Sequence, residues 1–527
     1  MHRGFVLLCV VLLAAGCARV VTVNVAQVEN LRDIIAQSKP GDTIRLTAGR
    51  YTITEAITPK AGTRIIGDGQ EKTFIRYGGE KPGVLIALNN CEEVEVAHLT
   101  LDGENNPNVY QGISGGNARR LKVHHVTIRN LVKSKTFGPH GILFSGKNPT
   151  RENGVTDSEV SDCLIENIAP DAQFGCGIRF AWGSSRNKVL RNVIRNTGRG
   201  GILGDNGSTD RVIQGNTVSG SGGEGLGIEV WGGCDRAVIE DNHIDHWLSI
   251  GGSDFCAVRR NVISDKSGVF KGYGIEAIGS HLVITGNLVD DGQHIGASVS
   301  AQCPKDYVFW GRNAFLNCIQ WGAQLQGETT GAAHHYVYRC KFNNTSADRG
   351  APRYPKDRGH GFRTNGNIKH LVLEECEFSD NGRFGVQLGG GGVDFLSFVR
   401  CAIQNNKGAA VVGPRDYSAL EWKDCTVKGN ADNKLPPEKP FPQAPPTSSF
   451  DVPVTARVGE PVSFSDTSRP AQGKIAAVLW DFGDGVPATD PRTSHAYARP
   501  GEYLITLVAW DDSGRGARCE KRIAINH

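Results

Sequence analysis

A chain of 527 residues is too long for one ordinary compact domain, although an elongated repeat can exceed that limit. Its 67 glycines, single methionine and 7% aromatic content favour turns over helices, so an extended all-β architecture is expected. With 58 Lys plus Arg against 55 Asp plus Glu there is no charge field for a nucleic-acid partner, and none is expected.

The chain opens with Arg3, an apolar run from Phe5 to Ala15 that is too short to span a bilayer, and "AAGC" ending at Cys17. Residues 1–17 resemble a bacterial lipoprotein signal with Cys17 as the lipidated residue. Ala14 stands where such signals prefer leucine, and simple secretion is the alternative. The resemblance implies the cell envelope: an outer-membrane lipoprotein, or a periplasmic or extracellular protein, with a lipid anchor as its only membrane contact. Twelve of the 14 cysteines lie beyond Cys17, in a compartment that permits disulfides, whose pairing the sequence leaves open.

Repeats follow. Cys163, Asn192, Asn216, Asn242, Asn261, Asn287, Asn313, Cys340, Cys376, Cys401 and Cys425 each stand two residues before an apolar residue, and seven of the ten steps between them are 24 to 27 residues. A parallel series reads Gly, apolar, variable, apolar, from "GILF" at Gly141 through "GIEV" at Gly227 to "GAAV" at Gly408, with "WLSI" at Trp247 filling one coil. Two short strands per coil at constant phase, without helical periodicity, predict a parallel β-solenoid. Asn side chains stacked on successive coils can satisfy one another and the turn backbone, and the cysteines then continue the stack as small buried residues. Zinc-type ligand spacings are absent, so no metal site is expected among them.

On these series, and on the opening "LRDIIAQSKPGDTIRLTAGRYTI", residues 20–430 resemble the right-handed parallel β-helix of the pectate-lyase-like superfamily. The resemblance implies a short helix capping the open end of the core. Residues 431–449, rich in proline, predict a semi-rigid, extended linker. Residues 450–527 resemble a PKD domain, a small β-sandwich, in "WDFGDG" and in His-x-Tyr followed by Gly-x-Tyr. Trp480 and Asp484 are expected to be structural there, and the domain to be an appendage that can be removed.

The variable position of the glycine series forms a column down one outer face: Leu143, Arg179, Leu203, Glu229, Ser249, Glu276, Ser298, Gln324, Arg363, Gln387 and Ala410. Trp182, Asp205, Trp231 and Asp254 follow the strands, and Lys271, Tyr273 and His294 precede them. Aromatic faces beside carboxylates and amides suit a sugar-binding groove. For hydrolysis, Glu229 and Glu276 lie two coils apart, about 9.6 Å at the backbone, close to the ~6.5 to 9.5 Å of an inverting pair, with Asp205 as alternative partner. Arg179, Trp182, Trp231, Asp254, Lys271, Tyr273, His294, Gln324 and Arg363 are the substrate-binding candidates, and His140 and His360, beside the strands, are secondary ones. The same groove can be read for β-elimination from a uronic acid, using Lys271, Arg179, Arg363, Tyr273 and His294, with Ca²⁺ held by the glutamates; hydrolysis requires no cofactor. A monomeric, non-catalytic carbohydrate-binding or scaffold protein is the rival of a different class.

Overall fold

The computed structural model describes residues 18–133, 138–170, 175–221, 226–264, 272–290, 295–301, 306–327, 333–346, 348, 358–389, 392–414 and 416–527. Cys17, Lys271 and His294 lie outside the described residues. The chain winds into a parallel β-solenoid followed by a small β-sandwich. From Glu159 onward most coils have three strands where the sequence predicts two. In one coil these are Lys188–Leu190, Val193–Thr197 and Gly200–Asp205, which pair in parallel with the next coil at Lys188↔Val212, Val193↔Thr217 and Gly200↔Leu226. The additional strands, those before the Asn and Cys series, are three residues long from Glu159–Ser161 to Ala257–Arg259, too short for alternation to register, and lengthen to six or seven residues further along.

The corner between the first two strands carries the asparagine series. Asn192 Nδ2 donates to Asn216 Oδ1 at 3.0 Å, and the chain continues through Asn242, Asn261 and Asn287 to Asn313 Oδ1 in steps of 2.9 to 3.0 Å. Each of these side chains is at most 1% exposed, so the ladder satisfies amides inside a core that would otherwise penalise them. Asn313 passes the ladder to Cys340 Sγ, and Cys376 and Cys401 continue as buried free thiols.

The glycine series marks the corner before the third strand. A Cβ on Gly227 would lie 2.2 Å from Ile244 Cγ2 and 2.6 Å from the His246 carbonyl, so only glycine lets the corner close on the core. Beyond it Ile228 and Val230 point inward and are fully buried. Among the described residues, thirteen stacked strands, the third strands of the later coils and their counterparts in the first, form one face of the solenoid.

Both ends of the core are covered. The helix Leu31–Gln37 buries Leu31 and Ile35 over the first coil, as the family resemblance implies. At the other end the proline-rich segment corrects the linker expectation. Leu435 packs against the core, Leu420 pairs with Lys439, and the Trp422 indole N–H donates to the Pro436 carbonyl at 3.0 Å.

The sandwich likewise is not a free appendage. Its own core is built on Phe450, Trp480, Phe482, Tyr497 and Ile505, with the Trp480 N–H donating to the Asp490 carbonyl and Asp484 bonded to His495 at 2.5 Å. Its outer surface sends Leu479, Val508 and Trp510 into a second apolar cluster with Val283, Phe309, Tyr336, Tyr338 and Val372 of the solenoid. Arg259, 1% exposed, bonds Asp481 at 2.7 Å and the Gly485 carbonyl at 2.6 Å across that junction. Alternating apolar residues on the solenoid strands thus face a partner domain that periodicity alone reads as solvent.

Candidate functional site

The third-strand face aligns Leu143, Arg179, Leu203, Glu229, Ser249, Glu276, Ser298, Gln324, Arg363 and Gln387 in one register column. The last position needs correcting: Gln387 pairs with Val412, and Ala410 is buried in the core. A two-residue shift preserves strand parity, which is why the sequence pattern does not reveal it.

The column is more closed than a solvated groove. Glu229 points away from Ile228 and Val230 yet is only 6% exposed, because Arg199 lies against it. The Arg199 guanidinium donates to both carboxylate oxygens, at 2.8 Å to Oε1 and 3.1 Å to Oε2. Arg199 precedes the strand Gly200–Asp205 and escapes the glycine-series alignment; a cation before the "GGILGD" strand is its only sequence signal. Beside this pair, Arg179 donates from Nε and Nη2 to Asp205 Oδ2 at 3.0 and 2.6 Å. Asp205 is 7% exposed, and its Oδ1 has no hydrogen-bond partner among the described residues.

Glu276 is set differently. It is half-buried, and its Oε2 accepts from the Ser249 hydroxyl at 2.8 Å and from the Trp247 indole N–H at 3.1 Å. Trp247 stands where the preceding coil has Gly227, since Ile228 pairs with Leu248, and its backbone is left-handed at φ +49°. Tyr273 packs its ring on Trp247, with centroids 5.1 Å apart. Trp231 is 48% exposed and lies over Gly251, where a Cβ would sit 1.8 Å from the indole Cε3. The Trp231 indole, the Ser249 hydroxyl and the Glu276 carboxylate are therefore presented on three successive coils.

The remaining candidates divide. Gln324 Nε2 donates to Gln326 at 3.1 Å, and Arg363 lies over the Trp321 ring at 4.5 Å, both within the face. Trp182 is half-buried in the turn after its strand at φ +51°, which corrects its reading as an exposed groove aromatic. Asp254 also belongs to a turn: its carboxylate accepts the Ser280 backbone N–H at 2.8 Å and its own N–H donates to Asp235. His140 and His360 are fully buried. Burial holds His140 down at about 3, so it stays neutral near neutral pH.

Comparison with known proteins decides the family. The model of the right-handed beta helix region matches residues 83–247 and 227–434. The chain belongs to this β-helix family. The β-helix protein also matches the PKD domain model over residues 443–526. Over 81 residues it is 37% identical to collagenase ColQ1 of Bacillus cereus, which is 15% of this chain and 8% of that protein. The β-helix chain thus spans under a tenth of that relative's length. Among solved structures it is similar to the A-module of the mannuronan C-5 epimerase AlgE6 of Azotobacter vinelandii, with 14% identity, a TM-score of 0.39, and coverage of 78% of this chain and 95% of that one. It is also similar to the catalytic unit of a GH87 alpha-1,3-glucanase of Streptomyces thermodiastaticus, with 14% identity, a TM-score of 0.40, and coverage of 78% and 68%. Among the described residues no helix is long and apolar enough to cross a membrane.

Proposed function

We propose that this β-helix protein is exported to the cell envelope, where it binds a polysaccharide along its third-strand face and cleaves it by glycoside hydrolysis. The observation that carries the reading is the exposed Trp231 indole, on the strand of Glu229 and laid over Gly251 of the next coil, with the Glu276 carboxylate one coil further along in the same register as Glu229. An indole offers the flat apolar surface on which a sugar ring stacks. Two carboxylates at this stagger suit an inverting displacement, in which water occupies the gap between them.

The roles follow from the partners. The Arg199 guanidinium holds both oxygens of Glu229 in a fixed orientation, and Glu229 is assigned to the base that activates water. Glu276, held on one oxygen by the neutral donors of Trp247 and Ser249, is assigned to the acid that protonates the leaving oxygen. Arg179 and Asp205, bonded to each other, and Gln324 and Arg363 would line the flanking sugar sites. Binding to a carbohydrate partner would require no cofactor.

A panel of polysaccharides assayed for new reducing ends and for unsaturated products absorbing near ~235 nm tests the reading. Reducing ends alone support hydrolysis. Both signals together would assign elimination, with Arg179, Tyr273 and Arg363 as the working groups, and neither signal beside saturable binding would assign a binding protein.

A further inference from the structure

Far from the groove, in the first coils, the strands Glu95–Asp102 and Lys122–Leu131 each run unbroken around the corner that later coils divide in two. The residue at each bend is a histidine in the left-handed region, His98 at φ +57° and His125 at φ +50°. His124 is the neighbour of His125 and pairs across the sheet with Ala97, next to His98. One ligand nitrogen from each of the three imidazoles falls in a group whose members all lie within 4.8 Å of one another. The rings of His98 and His125 are 5.0 Å apart, and that of His124 stands edge-on to both.

Elsewhere along this corner the bend position carries complementary charges on successive coils, as in Arg191 with Asp162 and Arg260 with Asp241. Here it stacks two like groups, which oppose each other once protonated. The tautomer is set by a carboxylate: His124 Nε2 lies 3.1 Å from Glu95 Oε1, so the ring N–H is directed to Glu95 and the lone pair on Nδ1 faces His125 Nδ1 at 3.0 Å. A carboxylate behind a histidine is the arrangement that orients metal-binding imidazoles and raises their basicity.

We infer that His98, His124 and His125 form a site for a divalent late first-row transition ion of the zinc class, with Glu95 positioning His124. Three imidazole nitrogens select such an ion over Mg²⁺ or Ca²⁺, which take oxygen ligands. Two nitrogens on one tetrahedral ion stand roughly 3.3 Å apart. The His124–His125 separation is close to that already, and bringing in the third nitrogen takes a side-chain movement of no more than about 1.5 Å. Bound there, the ion ties two adjacent coils together at their outer corner.

The test uses full-length chain without a polyhistidine tag. Titration with Zn²⁺, followed by calorimetry, is expected to show saturable one-to-one binding and a raised melting temperature, and Co²⁺ to give the visible bands of a tetrahedral site. His98→Asn with His125→Asn, a residue that tolerates left-handed backbone, is expected to abolish all three signals while the circular dichroism of the apo chain stays unchanged. Glu95→Gln is expected to weaken binding by about 10- to 100-fold without abolishing it. Zn²⁺ that binds the double variant as tightly as the parent, or no saturable binding to the parent, overturns the site.

Discussion

The Trp247 indole donates to Glu276 from the coil before it, at 3.1 Å, out of a corner position that glycine holds in the neighbouring coil. The coil concerned is also the shortest of the series, with 19 residues from Asn242 to Asn261, so no inserted loop separates Trp247 from its strand. Shortening one coil has thereby brought an aromatic donor into the outer face. If Glu276 is the acid, Trp247→Phe should keep the ring packed on Tyr273 while lowering kcat by roughly 10- to 100-fold, the worth of one hydrogen bond to an ionisable group. An unchanged kcat on a substrate the parent degrades would separate Trp247 from the chemistry.

Glu276→Gln and Glu229→Gln preserve shape and remove proton transfer, a contribution of about 10²- to 10⁴-fold. Each is expected to lose turnover to that extent while oligosaccharide binding persists, measured by reducing-end release and by calorimetry. If both variants keep near-parental turnover, the pair is not catalytic. Because Arg199 occupies both oxygens of Glu229, Arg199→Ala is expected to impair turnover as well, by freeing the carboxylate from its fixed orientation.

Trp231 can be tested without being mutated. Gly251→Ala would place a methyl 1.8 Å from the indole, which must lift off the face. Oligosaccharide affinity is expected to fall by about tenfold, as it should in Trp231→Ala, in line with a ring contact worth about 0.5 to 1.5 kcal/mol. The melting temperature should move little in Trp231→Ala, since the indole is half exposed. Equal affinity in parent and both variants would exclude Trp231 from the binding surface.

At the domain junction, Arg259→Ala leaves the Asp481 carboxylate buried without its partner, which costs about 3 to 5 kcal/mol when a buried pair is broken. Calorimetry is expected to show a marked fall in the melting temperature and a separation of solenoid and sandwich transitions. Cutting the chain near Pro440 should bare Phe309, Tyr336 and Val372 and promote association of the solenoid. A truncated chain that stays monomeric, with the parent's transition, would return the sandwich to the status of an appendage.

Acid should destabilise the fold from just below neutral pH, through its buried histidines. Burial holds His140, His334 and His335 at about 3 and His370 at about 4, below the ordinary value near ~6.5. The unfolded chain therefore takes up protons first. Their stabilisation is complete above pH ~6.5 and is lost as pH falls from there toward 3. For the fully buried His140 and His335 the slope approaches about 1.4 kcal/mol per pH unit each. Denaturant melts at pH 7, 6 and 5 are expected to show this decline. His335→Gln, which keeps an acceptor for the Trp310 indole N–H, should flatten it.

The solenoid was legible in the sequence because each coil must solve the same two local problems. An inward amide at a corner has to bond its counterpart above and below, which recurs as asparagine at a fixed step, and a corner closing on the core has no room for a Cβ, which recurs as glycine. The inward and outward parity of the third strands, and with it the register from Arg179 to Gln387, follows from the alternation in those strands. Tertiary structure alone decided what the outward residues meet. Arg199 reaches Glu229 from a position outside the repeat, and Arg259 finds Asp481 more than two hundred residues along the chain. Three histidines converge only because two strands bend at the same height on adjacent coils. Repeats record the contacts that every coil makes with the next, whereas ion pairs, clusters and domain docking depend on side-chain reach in three dimensions, and nothing in a local period encodes that.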